Sequence, residues 1–123
     1  MSFSDLMAQL QQEYILALPL RIQSMNKHLN DSQYKILADE FHKLKGTGKT
    51  YGLPEISELA EIMEKICQNK TDFTSNTVKE SLLLLEEICL LRMKKKTVNL
   101  SINPHFIKIK RLFEEAESKL KKK

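Results

Sequence analysis

The segment PEISELAEIMEKIC, residues 54–67, carries the clearest helical pattern of the chain. Its apolar residues recur every three or four positions, which places them on one face of an α-helix. They are Ile56, Leu59, Ala60, Met63, Ile66 and Cys67. Pro54 suits the first turn of a helix, where its missing N–H has no carbonyl partner to lose. The segment therefore predicts an amphipathic helix that packs against other elements through this face.

A second helical pattern precedes this segment and is predicted to run from about Ser32 to Thr50. Its apolar stripe consists of Tyr34, Leu37, Phe41 and Leu44. Asn30-Asp31-Ser32 is predicted to supply a turn and the N-terminal cap of this helix. Gly46 and Gly48 each weaken the last turns by about 1 kcal/mol relative to alanine. We therefore expect these two glycines to have a functional or a packing role.

Two further helical patterns flank this pair. The first contains Phe3, Leu6, Leu10, Tyr14, Ala17 and Leu18, and continues beyond Pro19 with Ile22, Met25 and Leu29. Pro19 is expected to kink this helix or to restart it. The other pattern follows a polar connector at residues 71–76 and comprises Val78, Leu82, Leu85, Cys89 and the aliphatic stem of Arg92. Four helices with short polar connections predict an all-α, up-down four-helix bundle over residues 1–97.

The remaining residues, 98–123, are predicted to form a C-terminal extension. Val98 to Asn103 alternates apolar and polar residues and is expected to be extended, and Pro104 then begins an additional helix. One face of this helix carries Phe106, Ile109, Phe113, Ala116 and Leu120. The chain ends in a basic tail, for which we expect a solvated terminus, although contact with nucleic acid or anionic lipid is an alternative.

Composition supports a single helical domain. The chain has 123 residues with only three Gly and three Pro, which disfavours a many-stranded β fold. The formal charge of +4 lies entirely in residues 108–123, which hold seven Lys or Arg and three Glu. The longest uncharged apolar run, Tyr14 to Leu20, is far shorter than the roughly 20 residues that span a bilayer. We expect a cytoplasmic monomer without membrane insertion and with no nucleic acid partner.

The two cysteines lie on the apolar faces of their predicted helices. Cys67 and Cys89 form no C-x-x-C motif and no Cys/His cluster. Buried free thiols in a reducing compartment are therefore expected, and no metal site is predicted.

A polar stripe on the second helix is separate from its apolar stripe. His42, Lys45, Gly46 and Lys49 stand at positions i, i+3, i+4 and i+7, so they share one helical face. This face is predicted to be exposed because the apolar stripe points elsewhere. It combines one imidazole, two ammonium groups and one position without a side chain.

The pattern His42-x-x-Lys45-Gly46, with Gly52 and an amphipathic helix after it, resembles the histidine-containing phosphotransfer (HPt) family over roughly residues 3–95. The resemblance implies that His42 accepts a phosphoryl group and that the partners are receiver domains of response regulators or hybrid histidine kinases. It implies that Gly46 keeps the histidine accessible. It also implies a nearby polar residue on the third helix, for which Glu64 is the candidate. Mg²⁺ is expected only on the receiver, so no cofactor is expected here.

Residue chemistry agrees with this expectation. A neutral imidazole has an unprotonated ring nitrogen that can attack an acyl phosphate. Lys45 is placed to neutralise charge that develops on the phosphoryl oxygens, and Lys43 and Lys49 add a weaker attraction that salt screens. His28 and His105 have no comparable sequence neighbours, so surface or cap roles are expected for them.

The chain departs from the family pattern at one position. The residue before the histidine is commonly small in the family, and here it is Phe41. Position 41 lies on the apolar stripe, so we interpret the phenylalanine as a change in packing that can tilt the second helix.

Gly46-Thr47-Gly48-Lys49-Thr50 resembles the end of a nucleotide-binding P-loop. The first glycine of that motif is missing, because position 43 is a lysine, and the preceding residues have a helical rather than a strand pattern. An ATPase is therefore not expected.

The expected function is that of a phosphoryl carrier in a phosphorelay, without ATP binding or a kinase domain, rather than an enzyme. The alternative is a helical interaction module of HPt shape that docks a partner without phosphotransfer. Met1 leads directly into the first helix, as in a freestanding HPt protein, but a module of a larger hybrid kinase remains equally compatible with the sequence.

Overall fold

The computed structural model describes residues 2–121, of which Leu120 and Lys121 are described by their backbone alone. The described chain forms five α-helices and a short 3₁₀ turn, and contains no strand. The helices are α1 (Phe3–Asn30), α2 (Tyr34–Thr50), α3 (Pro54–Gln68), α4 (Thr74–Met93) and α5 (Pro104–Lys121), and the 3₁₀ turn is Leu100–Ile102. The all-α prediction, with an additional C-terminal helix, is confirmed.

A single core lies between the helices. The most extensive contact joins α2 to α3, α1 packs against α4, and α5 covers α4 and the adjoining part of α3. The apolar stripes predicted for α2 and α3 are largely buried in this core. Phe41 is completely buried, so the bulky residue before His42 is a core residue, and its neighbour is thereby directed outward.

The N-terminal helix does not restart at Pro19. One helix runs from Phe3 to Asn30, and Pro19 lies inside it with an exposed side chain. Because proline has no N–H, Pro19 cannot donate the helical hydrogen bond that the carbonyl of Ile15 would otherwise accept. The thiol of Cys89 on α4 donates to that carbonyl at 3.4 Å, so the neighbouring helix supplies a substitute partner.

The predicted cap of α2 is wrong. Ser32 has φ +55°, in the left-handed region, and α2 begins at Tyr34 after Gln33, whose side chain forms no capping hydrogen bond. Ser32 instead lies in the turn just after α1. Its N–H donates to the carbonyl of Leu29 at 3.0 Å, and the N–H of Gln33 donates to that of His28 at 2.9 Å. These two bonds form a Schellman-type turn at the helix C-terminus.

The two glycines of α2 have different environments. Gly48 is buried where α2 approaches α3, and a Cβ atom there would lie 2.9 Å from the backbone nitrogen of Ser57. The hydroxyl of Ser57 donates to the carbonyl of Lys45 at 2.8 Å across the same approach. Gly48 therefore has a packing role. Gly52, in the turn between the helices, has φ +70°, a conformation that favours glycine.

An ion pair joins α4 to α3. Arg92 was expected to contribute its aliphatic stem, but its guanidinium binds the buried carboxylate of Glu55 through two bonds, Nη2 to Oε1 at 2.8 Å and Nε to Oε2 at 3.1 Å. This two-point contact holds the ends of the helices in register.

The segment before α5 is not fully extended as predicted. A 3₁₀ turn at residues 100–102 buries Leu100, because the chain must bend to bring α5 onto the bundle. Asn103 then caps α5, its Oδ1 accepting from the backbone N–H groups of His105 and Phe106. Phe106 and Ile109 are buried. The side chain of Leu120, which is predicted to lie on the apolar face of α5, falls outside the described part of the structure. The last residues of the basic tail also fall outside it.

The P-loop interpretation is excluded by the helices. Residues 46–50 belong to α2, so no strand leads into them. Across the described residues, no helix combines the length and the apolar character needed to cross a membrane.

Candidate functional site

His42 lies on the outer face of α2, with 68% of its side chain exposed. The neighbouring positions 41 and 44 are buried in the core, so the helical geometry directs the imidazole away from the bundle. The exposure predicted from the sequence is confirmed.

A carboxylate from α3 contacts this imidazole. The Nδ1 atom of His42 lies 2.9 Å from Oε2 and 3.1 Å from Oε1 of Glu64. An ionised carboxylate can only accept, so Nδ1 carries the proton and donates. The neutral ring then has its lone pair on Nε2. That atom makes no hydrogen bond within the described residues, and it belongs to a largely exposed side chain.

The same carboxylate contacts a lysine one turn along α2. Lys45 Nζ donates to Glu64 Oε1 at 3.4 Å, and 34% of the lysine side chain is exposed. Burial raises the pKa of Glu64, but the hydrogen bonds from His42 and Lys45 outweigh this effect and hold it below its ordinary value. Glu64 is therefore ionised at neutral pH and binds the imidazole and the ammonium group together.

The surface beside the histidine is open at Gly46. A Cβ atom at this position would meet no other atom within 4 Å, in contrast to the crowded Gly48. Position 46 is one turn beyond His42 on the same face. Packing within the chain does not require a glycine here, and the missing side chain leaves the surface beside His42 open.

The two weaker cation candidates lie apart from this cluster. Lys43 Nζ pairs with Glu40 Oε1 at 3.5 Å, and Glu40 also binds Arg21. Lys49 is exposed and makes no hydrogen bond or ion pair with His42, Lys45 or Glu64. The structure thus brings together His42, Lys45 and Glu64, leaves Gly46 open beside them, and directs Lys43 towards another carboxylate.

The expectation that His105 has no comparable neighbours is wrong, although its side chain is partly exposed as expected. Its Nδ1 lies 2.6 Å from Glu80 Oε2, and Lys108 Nζ donates to the other oxygen of Glu80 at 3.1 Å. The spacing of His105 and Lys108 was visible in the sequence and could have signalled this pair. Glu80 could not be identified in that way, because it lies on α4 and only the packing of α5 brings it near.

Both cysteines are buried free thiols, as predicted. Burial raises the pKa of Cys67 to about 12 and also raises that of Cys89. A thiol with a raised pKa forms little of the reactive thiolate at neutral pH. The two buried thiols are therefore poor nucleophiles, whereas the imidazole of His42 is largely exposed.

The arrangement suits nucleophilic attack on an electrophile that carries negative charge. The imidazole is oriented by a carboxylate, its second nitrogen is accessible, and an ammonium group stands one turn away. A cation near developing anionic charge lowers the energy of the transition state. The geometry therefore fits the transfer of an anionic group such as a phosphoryl group.

Comparison with protein-family models agrees with this chemistry. The model of the Hpt domain matches residues 9–97, which include α2, α3, α4 and most of α1. Comparisons with curated proteins and with solved structures found no match. Because the matched segment covers well over half of the chain and contains the whole His42 cluster, the chain belongs to the Hpt domain family.

Proposed function

We propose that this protein accepts a phosphoryl group on His42 from the aspartyl phosphate of a receiver domain and passes it to a second receiver. Its family makes it a phosphotransfer module of two-component signalling, and Hpt domains are phosphoryl carriers rather than kinases. The observation that carries the proposal is the hydrogen bond of His42 Nδ1 to Glu64, which leaves the Nε2 lone pair on an exposed face.

Acceptance begins when the Nε2 lone pair of His42 attacks the phosphorus atom. The bond between phosphorus and the aspartyl oxygen breaks, and its electron pair leaves with the aspartate carboxylate. The ring keeps its Nδ1 proton and becomes positively charged, and the adjacent Glu64 carboxylate stabilises that charge. Donation to the second receiver reverses these bond changes, so no ATP is required.

Lys45 is proposed to compensate charge on the phosphoryl oxygens. Its ammonium group forms an ion pair with Glu64, and Lys45 lies one helical turn from His42. When a phosphoryl group arrives, this flexible side chain can share its N–H groups between the carboxylate and the phosphoryl oxygens. Lys43 and Lys49 contribute through longer-range attraction, which salt weakens. The Mg²⁺ that assists the reaction is proposed to belong to the receiver.

The open surface at Gly46 supports docking of a whole domain rather than of a small molecule alone. A receiver must bring its own aspartate to His42, and a side chain at position 46 would stand beside that path. The proposal takes the working unit to be a monomer, since one chain contains His42, Lys45 and Glu64. It also takes the location to be the cytoplasm, because free buried thiols suit a reducing compartment.

The test is incubation with a receiver domain that carries labelled aspartyl phosphate. The parent chain is expected to acquire acid-labile, alkali-stable label, and His42→Gln is expected to acquire none while keeping its helical content. His28→Gln serves as the matched control and should label normally.

Equal labelling of His42→Gln and the parent chain would overturn the proposal. Receiver binding without any label on the parent chain would support the interaction module of HPt shape instead.

A further inference from the structure

A second cluster of histidine, glutamate and lysine joins α5 to α4. His105 and Lys108 are three residues apart on α5, as His42 and Lys45 are on α2. In each pair the carboxylate of a glutamate on the neighbouring helix contacts both side chains. The second cluster lies outside the segment matched by the family model, because α5 begins after residue 97.

The contacts of the two clusters are alike, except that His42 Nδ1 also lies 3.1 Å from the Glu64 oxygen that Lys45 contacts, whereas His105 and Lys108 contact different oxygens of Glu80. Nδ1 of His105 contacts one oxygen of Glu80 at 2.6 Å, and Nζ of Lys108 contacts the other at 3.1 Å. The corresponding distances around Glu64 are 2.9 Å and 3.4 Å. Donation from Nδ1 to the carboxylate again places the lone pair of the neutral ring on Nε2, which makes no hydrogen bond within residues 2–119. The second imidazole is therefore oriented for attack in the same manner.

The side chain of His105 is less accessible to a partner than that of His42. Its side chain is 35% exposed, about half the exposure of His42, while 61% of the Lys108 side chain is exposed. One turn beyond His105 the helix carries the fully buried Ile109, where α2 has the open Gly46. A small molecule can reach a partly exposed ring, whereas a folded domain needs a wider open surface.

We propose that His105 is a second phosphoryl-accepting residue, which takes a phosphoryl group from a small acyl phosphate rather than from a receiver domain. The Nε2 lone pair attacks phosphorus, the bond between phosphorus and the acyl oxygen breaks, and the carboxylate leaves with the electron pair. The Nδ1 proton stays on the ring beside Glu80, and Lys108 compensates the charge of the phosphoryl oxygens. The inference rests on its own cluster and does not require His42 to be active.

The test uses the full chain and acetyl phosphate as the donor, with phosphohistidine mapped by mass spectrometry under alkaline conditions. His28 is the internal reference, because its ring makes no hydrogen bond within the described residues and its side chain is also partly exposed. We expect His105 to be labelled at least about tenfold faster than His28, as electrostatic assistance predicts. Lys108→Ala should remove most of this advantage while leaving labelling of His42 unchanged.

Variants separate this inference from the proposed function. His42→Gln should still acquire acetyl phosphate label at His105, and His42→Gln/His105→Gln should lose it. With a phosphorylated receiver as donor, His105→Gln should label like the parent chain. Labelling of His105 no faster than that of His28, or an unchanged rate in Lys108→Ala, would show that the cluster only fastens α5 to α4. Failure of receiver-dependent labelling at His42 would affect the proposed function alone.

Discussion

The carboxylate of Glu64 contacts two side chains of α2, the imidazole of His42 and the ammonium group of Lys45. An exposed histidine on a helix ordinarily samples several orientations and both neutral tautomers. The contact with Glu64 favours the tautomer with its lone pair on Nε2. A single residue of α3 therefore decides which ring nitrogen can act.

Two substitutions at this residue are expected to have different effects. In Glu64→Gln the amide oxygen still accepts from Nδ1 but the negative charge beside the phosphorylated ring is lost, so phosphoryl acceptance from a receiver should fall by less than in Glu64→Ala. In Glu64→Ala the acceptor is lost, and acceptance should fall by about tenfold, equivalent to roughly 1.4 kcal/mol of transition-state stabilisation. Rapid-quench labelling measures both rates. Equal rates for Glu64→Ala and the parent chain would remove Glu64 from the mechanism.

Lys45 and Lys43 form a matched pair of lysines on α2. Lys45 lies beside Glu64, whereas Lys43 pairs with Glu40. Lys45→Ala should slow transfer or shorten the phosphohistidine lifetime by about tenfold or more, because a local charge is lost. Lys43→Ala should have a smaller effect that disappears at high salt. Similar losses in the two variants would indicate general attraction rather than a specific role of Lys45.

Gly46 permits a test that separates docking from chemistry. Gly46→Gln places a side chain beside His42 on the helical face that a receiver must approach. Transfer from a receiver should become at least about tenfold slower, whereas labelling of His42 by acetyl phosphate should change little, since a small donor needs little room. A parallel loss with both donors would contradict a role in docking and would indicate a disturbed imidazole.

At the scale of elements, the contact of α2 with α3 is the one that assembles the site. His42 and Lys45 lie on α2 and Glu64 lies on α3, so the spacing and register of the two helices determine their distances. Gly48 allows the backbones to approach closely near the turn, and the Ser57 hydroxyl bonds across the same approach.

The two glycines of α2 should respond oppositely to alanine. Gly46→Ala adds a methyl group in open space and should stabilise the protein by up to about 1 kcal/mol through helix propensity. Gly48→Ala would bring Cβ to 2.9 Å from the backbone nitrogen of Ser57, so the helices must separate and stability should fall, by about 1–3 kcal/mol. Urea unfolding followed by circular dichroism compares the variants. Equal stabilisation by both would show that α2 and α3 separate at no cost.

At the scale of the whole molecule, α5 belongs to the same core as the other helices. Phe106 and Ile109 are buried against the bundle, and the carboxylate of Glu80 joins α4 to α5 through His105 and Lys108. The extension is therefore part of the folded unit, although the phosphoacceptor proposed on α2 lies elsewhere.

The Glu80 contact should make global stability depend on acidic pH. The hydrogen bonds from His105 and Lys108 hold the pKa of Glu80 below its ordinary value of 4.5. The unfolded chain therefore binds the proton at higher pH, so this contribution is fully present above about pH 4.5 and is lost as the pH falls through the folded-state pKa.

The measurement is the free energy of unfolding of the parent chain and of Glu80→Gln at several pH values. The parent should be the more stable at about pH 7, and the difference should shrink below about pH 4. A difference that does not change with pH would contradict the ionic contribution. Glu86→Gln is a suitable control, because this glutamate is exposed on the same helix.

Local sequence determined the helices and the direction in which His42 points. The period of apolar residues in α2 and α3 depends only on 3.6 residues per turn, so it identified the buried faces and left the imidazole on the outer one. Proline and glycine marked the start of α3 and the turn before it for equally local reasons. The same reasoning erred at Ser32, because the end of α1 and the start of α2 compete for the same residues.

Only the tertiary structure decided which distant groups meet. Glu64 is one of several polar residues on α3, and nothing in the sequence links Glu80 to His105. The crossing angle and axial register of two packed helices select such pairs. Gly46 and Gly48 look equivalent in sequence, yet one faces open space and the other the backbone of α3. Sequence periodicity specifies the face on which a residue lies, whereas the packing of a second helix specifies what that face contacts.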